Sequence, residues 1–361
     1  MEGYASTDGC REGAAMTTKI IFSSPRVGET SDEQLQRMLD RHGLGRLLAW
    51  SRTGQGAMSQ TLRIETSTGA FILKGNPLYP GHLEEERWFT EQLASRTRLP
   101  LPIPYIVDER TDLFGWSYAI MPCLPGRHLG DLADEGGFAG AEAAAEALHE
   151  IHRWKEPVYG EYDPISRRIV PFEGGYYGWL FERILYWLHD AARFSAIGAE
   201  DTAWTEERLR QAQPDFAELG QAALCMGDFK PGNFLLSSRP ADASRLAVSG
   251  LFDLTNAYFG DPLADLAKLL VYYRGRGRQD LAACFLRAYA EGMEDERGLG
   301  SRLGVHLLHQ NVLDWGCLKA MGAADWPAEL TFRAWAAAQQ ADLADWLAAI
   351  EPRSAGRRET P

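Results

Sequence analysis

The chain has 361 residues, 45% hydrophobic and 24% charged, which is enough apolar material for two domains or one two-lobed enzyme. A formal net charge of −13 repels phosphate backbones, so nucleic acid is not an expected partner. The five cysteines, at 10, 123, 225, 284 and 317, form no CxxC pair, which excludes a zinc ribbon or a disulfide framework.

No apolar run is long enough to span a bilayer, and the first residues lack a secretory pattern. The expectation is a cytoplasmic protein, monomeric or homodimeric, with no membrane partner. Residues 1–30 are polar and irregular and read as a disordered leader, with Met16 offering a second start. Ser31 or Asp32 caps a first helix. Short strand-like segments follow at Leu47–Ser51, Gln60–Glu65 and Ala70–Lys74, separated by Gly54, Gly56 and Thr68-Gly69. Helical periodicity then runs from Leu83 to Leu93, and two more apolar runs occur at Tyr105–Val107 and Trp116–Met121.

After Pro125-Gly126 the pattern is mostly helical: Ala141–His152, Trp179–Phe194, and Thr205–Gln213, which Pro214 should end. A strand-like insert covers Ala222–Met226, Phe234–Ser237 and Ala247–Phe252. Asp261 caps a helix with Pro262 at its first position. Ala282–Ala290, Leu303–Met321 and Ala328–Ile350 complete a helical part before a charged tail at 353–361. These elements divide the chain into a lobe at 31–124 and a larger one at 125–352.

One constellation carries chemistry. In Asp228-Phe-Lys-Pro-Gly-Asn233 a polar loop is wedged between apolar runs, and Pro231-Gly232 turns it so that Asp228 and Asn233 can converge. Twenty residues after Asn233, Asp253 ends another apolar run, a position suited to a magnesium ligand. Singly, each is a turn cap or a strand end. Phosphoryl transfer needs both kinds of part: a carboxylate for the attacking hydroxyl, and an amide and second carboxylate to hold magnesium against phosphates.

The Asp228–Asn233 loop resembles the catalytic loop of the protein-kinase-like superfamily. The run Phe252-Asp-Leu-Thr-Asn-Ala-Tyr-Phe-Gly-Asp-Pro-Leu-Ala-Asp-Leu-Ala267 is similar to the aminoglycoside phosphotransferase family. The resemblance implies an α+β, bilobal, protein-kinase-like fold, with a small antiparallel-sheet N-lobe and a mainly helical C-lobe. It implies Asp228 as catalytic base, Lys230 on the phosphoryl group in transit, and Asn233 and Asp253 as Mg2+ ligands. The family's usual His two residues before the catalytic Asp is Met226 here, a change that bears on loop support.

On the nucleotide side, Gly54, Gly56 and Ser59 resemble the phosphate-covering hairpin, and Lys74 the strand lysine that pairs with ATP phosphates. Glu86 shares a helix face with Phe89 and Leu93 and is the chosen partner of Lys74, with Glu85 as fallback. Tyr118–Gly126 resembles the hinge: Met121 lines the rear of the adenine pocket, Pro122 offers its carbonyl, and Leu124 its N–H. ATP is the expected nucleotide, with GTP as alternative. No Walker motif occurs.

On the acceptor side, Asp314 lies beside Trp315 on an aromatic-rich helix and could meet a cationic substrate. Asp265 either bonds the Asp228 loop or is solvated, and His149 and His152 read as ordinary helix residues. The expected reaction is transfer of the γ-phosphate to a small-molecule hydroxyl, on an aminoglycoside-type antibiotic first, or on a sugar, amino alcohol or homoserine-like metabolite. A nucleotide-binding pseudokinase is the non-enzymatic alternative.

Overall fold

The computed structural model describes residues 30–53, 60–75, 77, 79–239, 242–293, 296–348 and 350. The leader up to residue 29, the 353–361 tail, and Gly54, Gly56 and Ser59 of the expected phosphate hairpin lie outside the described residues.

The smaller lobe opens with α1 (Asp32–His42), whose start is a reciprocal cap: Ser31 Oγ accepts from Gln34 N and Gln34 Oε1 accepts from Ser31 N. Strands β1 (Leu47–Arg52), β2 (Gln60–Thr66) and β3 (Gly69–Gly75) lead to α2 (His82–Arg96), then β4 (Ile106–Asp108) and β5 (Tyr118–Pro122). They form one antiparallel sheet in the order β1-β2-β3-β5-β4.

Strand alternation sorts the side chains of this sheet. Leu62, Ile64, Leu73, Tyr118 and Ile120 pack with Leu35, Met38 and Leu39 of α1. Ala119, Met121 and Ile72 cluster instead with Leu83 of α2 and Tyr105. Each fully buried leucine contributes about 1.5–3 kcal/mol. The two clusters fix the sheet between two helices. Lys74, two residues after Ile72, takes the α2 side.

The larger lobe begins with β6 (Arg127–His128) and α3 (Gly137–His152). A small-strand region follows, β7 (Lys155–Glu156), β8 (Gly160–Asp163) and β9 (Arg168–Pro171), and then α4 (Gly175–Ala191) and α5 (Ala199–Ala217). Next come β10 (Ala222–Cys225), β11 (Phe234–Arg239), β12 (Asp242–Leu251) and β13 (Tyr258–Gly260). A 3-10 turn (Pro262–Asp265) enters α6 (Leu266–Gly275). The chain then forms α7 (Gln279–Ala290), α8 (Leu299–Ala320), α9 (Phe332–Gln340) and α10 (Leu343–Ala348). Two small sheets, β7-β10-β13-β8-β9 and β12-β11-β6, carry the polar loops between them. No helix among the described residues is long and apolar enough to cross a membrane.

Three expectations for this lobe need correction. Pro214 lies inside α5 instead of ending it. Only three residues follow it, so the lost hydrogen bond falls in the final turn, where interruption costs least. The helix expected over Ala328–Ile350 is two, α9 and α10, and Asp342 between them accepts from Arg274 Nε at 2.6 Å. The strands β6 to β9 fall in a stretch expected to be mostly helical; they are two to four residues long, too short for a period to register.

Candidate active site

Lys74 of β3 pairs across the sheet with Ala119 of β5 and faces α2. Its Nζ donates to Glu86 Oε2 at 2.7 Å and to Asp253 Oδ1 at 2.9 Å. This buried ammonium therefore ties the smaller lobe to the larger one. Glu85, the fallback partner, accepts instead from the Tyr79 hydroxyl at 2.8 Å. Burial alone would lower the Lys74 pKa, but the charges of Asp253 and Glu86 outweigh it and raise it. Burial likewise opposes the charge of Asp253, yet Lys74 and the Thr255 hydroxyl hold its carboxyl well below the usual carboxylate range.

The hairpin β11–β12 explains how residues twenty apart in sequence meet. Phe234 pairs with Leu251, and the Phe252 N–H donates to the Asn233 carbonyl at 3.1 Å. Asn233 and Asp253 thus leave the same end of the hairpin. Asp253 has φ 68°, a left-handed conformation uncommon outside glycine that Asp tolerates better than most residues.

The loop before the hairpin is held at both ends. Phe229 stacks on Phe234 with ring centroids 4.8 Å apart. Gly227 has φ 73°, and a Cβ there would lie 2.2 Å from the Asn256 carbonyl oxygen, so only glycine fits between Met226 and Asp228. Met226 is fully buried in the main core. Its N–H donates to Asp265 Oδ2 at 2.6 Å, and the Gly227 N–H to Asp265 Oδ1 at 2.8 Å. Asp265 is therefore a buried anchor of the loop backbone. His152 Nε2 lies 3.2 Å from Asp265 Oδ2, and its Nδ1 2.7 Å from the Tyr289 hydroxyl.

Asp261 is also buried, and it does more than cap. Its Oδ1 accepts from Leu263 N at 3.3 Å and from Arg302 Nη2 at 2.8 Å; Oδ2 accepts from Arg302 Nε at 3.0 Å and sits 3.1 Å from His306 Nε2. Burial would raise its pKa, but His306 and Arg302 bring it down to about 2.

Asp228 is buried at the start of this loop, with both carboxylate oxygens engaged. Lys230 Nζ donates to its Oδ2 at 2.6 Å, and Lys268 Nζ donates to its Oδ1. Asn233 Nδ2 donates to the Asp228 carbonyl at 2.9 Å and to its Oδ2 at 3.2 Å. Asn233 Oδ1 is then the amide atom left to accept. Asp253 keeps Oδ2 beyond the oxygen used by Lys74 and Thr255. Two such oxygens suit Mg2+, which completes its octahedron with water and phosphate. Among the described residues no group of three or more His, Cys, Asp or Glu is arranged for a metal.

Met121 is buried beside Ala119 and Leu83, while Pro122 and Leu124 are half-buried where β5 leaves the sheet. Asp314 of α8 accepts from Gln310 Nε2 at 2.7 Å. Burial pushes its carboxyl up to about 6, against the pull of Lys268. Sequence reasoning missed Lys268, Arg302 and His152. Lys268 had a signal: it lies three residues after Asp265, on the same helix face.

The architecture is that of the kinase-like aminoglycoside phosphotransferases. A thermostable mutant of aminoglycoside phosphotransferase APH(4)-Ia in its apo form superposes with a TM-score of 0.60 at 16% identity, covering 89% of this chain and 100% of that one. Its ternary complex with ADP and hygromycin B gives 0.59 at 16%, covering 87% and 98%. The GDP and kanamycin complex of APH(2")-IIIa gives 0.54 at 15%, covering 88% and 99%. No curated protein matches the sequence. A family model, described as the phosphotransferase enzyme family, matches residues 50–299. That match runs from β1 through the Asp228 loop and the Asp253 hairpin to the start of α8, and the chain belongs to the phosphotransferase enzyme family.

Proposed function

We propose that the protein transfers the γ-phosphate of ATP to a hydroxyl of a small molecule, with an aminoglycoside-type antibiotic as the leading acceptor class. The observation that carries this reading is the pair of hydrogen bonds from Lys74 to Glu86 and Asp253, which brings a cation, a helix acid and the acid expected to bind the metal together at the junction of the lobes. In this reading the lobes divide at residues 124 and 125. The adenine lies against Met121, with the Pro122 carbonyl and Leu124 N–H at its edge, and Gly54, Gly56 and Ser59 cover the phosphates. GTP is the alternative donor.

Asp228 orients the acceptor hydroxyl and takes its proton as the new O–P bond forms. The bond from the γ-phosphorus to the bridging oxygen breaks, and the nucleoside diphosphate leaves. Lys74 neutralises the α- and β-phosphates and Lys230 the group in transit. Asn233 and Asp253 would hold Mg2+, which when bound supplies charge neutralisation between the β- and γ-phosphates. Four free cysteines, Cys123, Cys225, Cys284 and Cys317, agree with a cytoplasmic setting.

Asp314 supports a cationic acceptor, since a carboxyl with a raised pKa recovers its charge when an ammonium approaches. A neutral acceptor would gain only a hydrogen bond from it, and an anionic one would be repelled. The intact set of Lys74, Asp228, Asn233 and Asp253 speaks against a pseudokinase. The test is ATP turnover with and without a panel of aminoglycosides, together with growth of a sensitive bacterium expressing the protein on each drug. Drug-dependent turnover with raised tolerance is the expected result; turnover stimulated only by sugars or amino alcohols replaces the acceptor class.

A further inference from the structure

Lys268 is not needed to explain nucleotide binding, yet its ammonium is bonded to the carboxylate on which the acceptor must dock. Its position is fixed by the fold. Asp265 grips the backbone of Met226 and Gly227, and Lys268 stands one helical turn later on the same face, so its stem starts from a rigid point beside the loop. Its side chain keeps 33% of its exposure, against 9% for Asp228, so this cation is the more accessible member of the pair. The charges of Lys268 and Asp314 of α8 each shift the other's titration. Lys230 holds the second oxygen of Asp228. Two cations therefore flank the base.

We propose that Lys268 is a specificity-determining residue that selects acceptor hydroxyls whose neighbouring carbons carry oxygen rather than a protonated amine. This rests on the phosphotransferase reading above. The reasoning is electrostatic. A hydroxyl within hydrogen-bond reach of Asp228 places the substituent on the next carbon within a few ångströms of the Lys268 ammonium, in a partly desolvated cleft. A hydroxyl or carboxylate there can accept from Lys268. An ammonium there meets a like charge with no room to turn away, a penalty of at least ~10-fold in kcat/KM.

The experiment maps the product. Wild type and Lys268→Met are each incubated with ATP, Mg2+ and either kanamycin or hygromycin B, acceptors that offer hydroxyls beside an amine and hydroxyls beside oxygen only. The phosphate is located by phosphorus–proton correlation NMR. Wild type should phosphorylate only hydroxyls flanked by oxygen. Lys268→Met should also phosphorylate amine-flanked hydroxyls, with their share of product rising at least ~10-fold. Wild-type phosphate beside an amine overturns the inference and leaves the phosphotransferase reading intact, as does an unchanged product distribution in folded Lys268→Met. If Lys268→Met does not fold, the wild-type map decides alone. No transfer from ATP to any acceptor removes the reading and this inference with it.

Discussion

Two lysines bonded to acids of the site sit in different surroundings. Lys74, its side chain 11% exposed, is enclosed by Glu86 and Asp253, and its charge is balanced before any ligand arrives. Lys268 bonds one carboxylate, Asp228, and keeps 33% of its side chain exposed. The first is made by strand register and a hairpin, the second by helices from distant segments. A preorganised cation suits a polyphosphate, whose charge is the same in every turnover. A partly exposed cation suits discrimination between acceptors.

The comparison can be broken first at the carboxylate between the two sides. Asp228→Ala should lower kcat by about 10²–10⁴, the range for loss of a general base, with little change in KM for ATP. Steady-state kinetics at saturating acceptor checks this, and a loss confined to KM would assign Asp228 to binding alone.

Next is the scaffold both sides share. Arg302→Met leaves the buried Asp261 without its fork of hydrogen bonds and should cost about 3–5 kcal/mol in urea unfolding. The pH dependence has a definite sign. The pKa of Asp261 is depressed in the folded state, so its contribution is fully present above the unfolded value near ~3.9 and is lost as pH falls through about 2. The stability gap between wild type and Asp261→Asn should therefore close over that window.

A smaller effect separates the two glutamates of α2. Glu86→Gln weakens a charge-assisted bond to Lys74 worth about 1.5–3 kcal/mol, so kcat/KM for ATP should fall roughly 10- to 100-fold. Glu85→Gln still accepts from Tyr79 and should leave kcat/KM within about twofold. Equal losses would erase the distinction.

The smallest effect lies on the acceptor side. Asp314 titrates near 6, so KM for a cationic acceptor should rise roughly fourfold as pH falls from about 7.5 to about 5.5. Asp314→Asn should flatten that rise. A pH-independent KM in wild type would detach Asp314 from the acceptor.

The two sides also differ in how far the sequence discloses them. The N-lobe strands were legible as short apolar segments between turn residues, and in β3 the run Ala70–Leu73 ends on Lys74. Glu86 was legible because a helix face can be counted. The Asp228–Asn233 loop and Asp253 were legible as a pattern of polar residues behind apolar strands. The short strands β6 to β9 were not, since two to four residues carry no period. Nor were the partners of the buried acids. His152 lies 113 residues from Asp265, and Arg302 lies 41 from Asp261. Spacing along one element says nothing about which helix packs opposite. Lys268 belongs to this class, although its place three residues after Asp265 was visible; what was not visible was that Asp265 faces the loop.

If these carboxylates form a phosphoryl-transfer centre and not a structural junction, phosphate must reach an acceptor through them. The most direct test is mass spectrometry of aminoglycosides incubated with the protein, ATP and Mg2+, run in parallel with Asp228→Asn and Asp253→Asn. An acceptor should gain one phosphoryl group with wild type and essentially none with either variant. No ATP-dependent gain on any acceptor, or equal gain in Asp228→Asn, would contradict that reading.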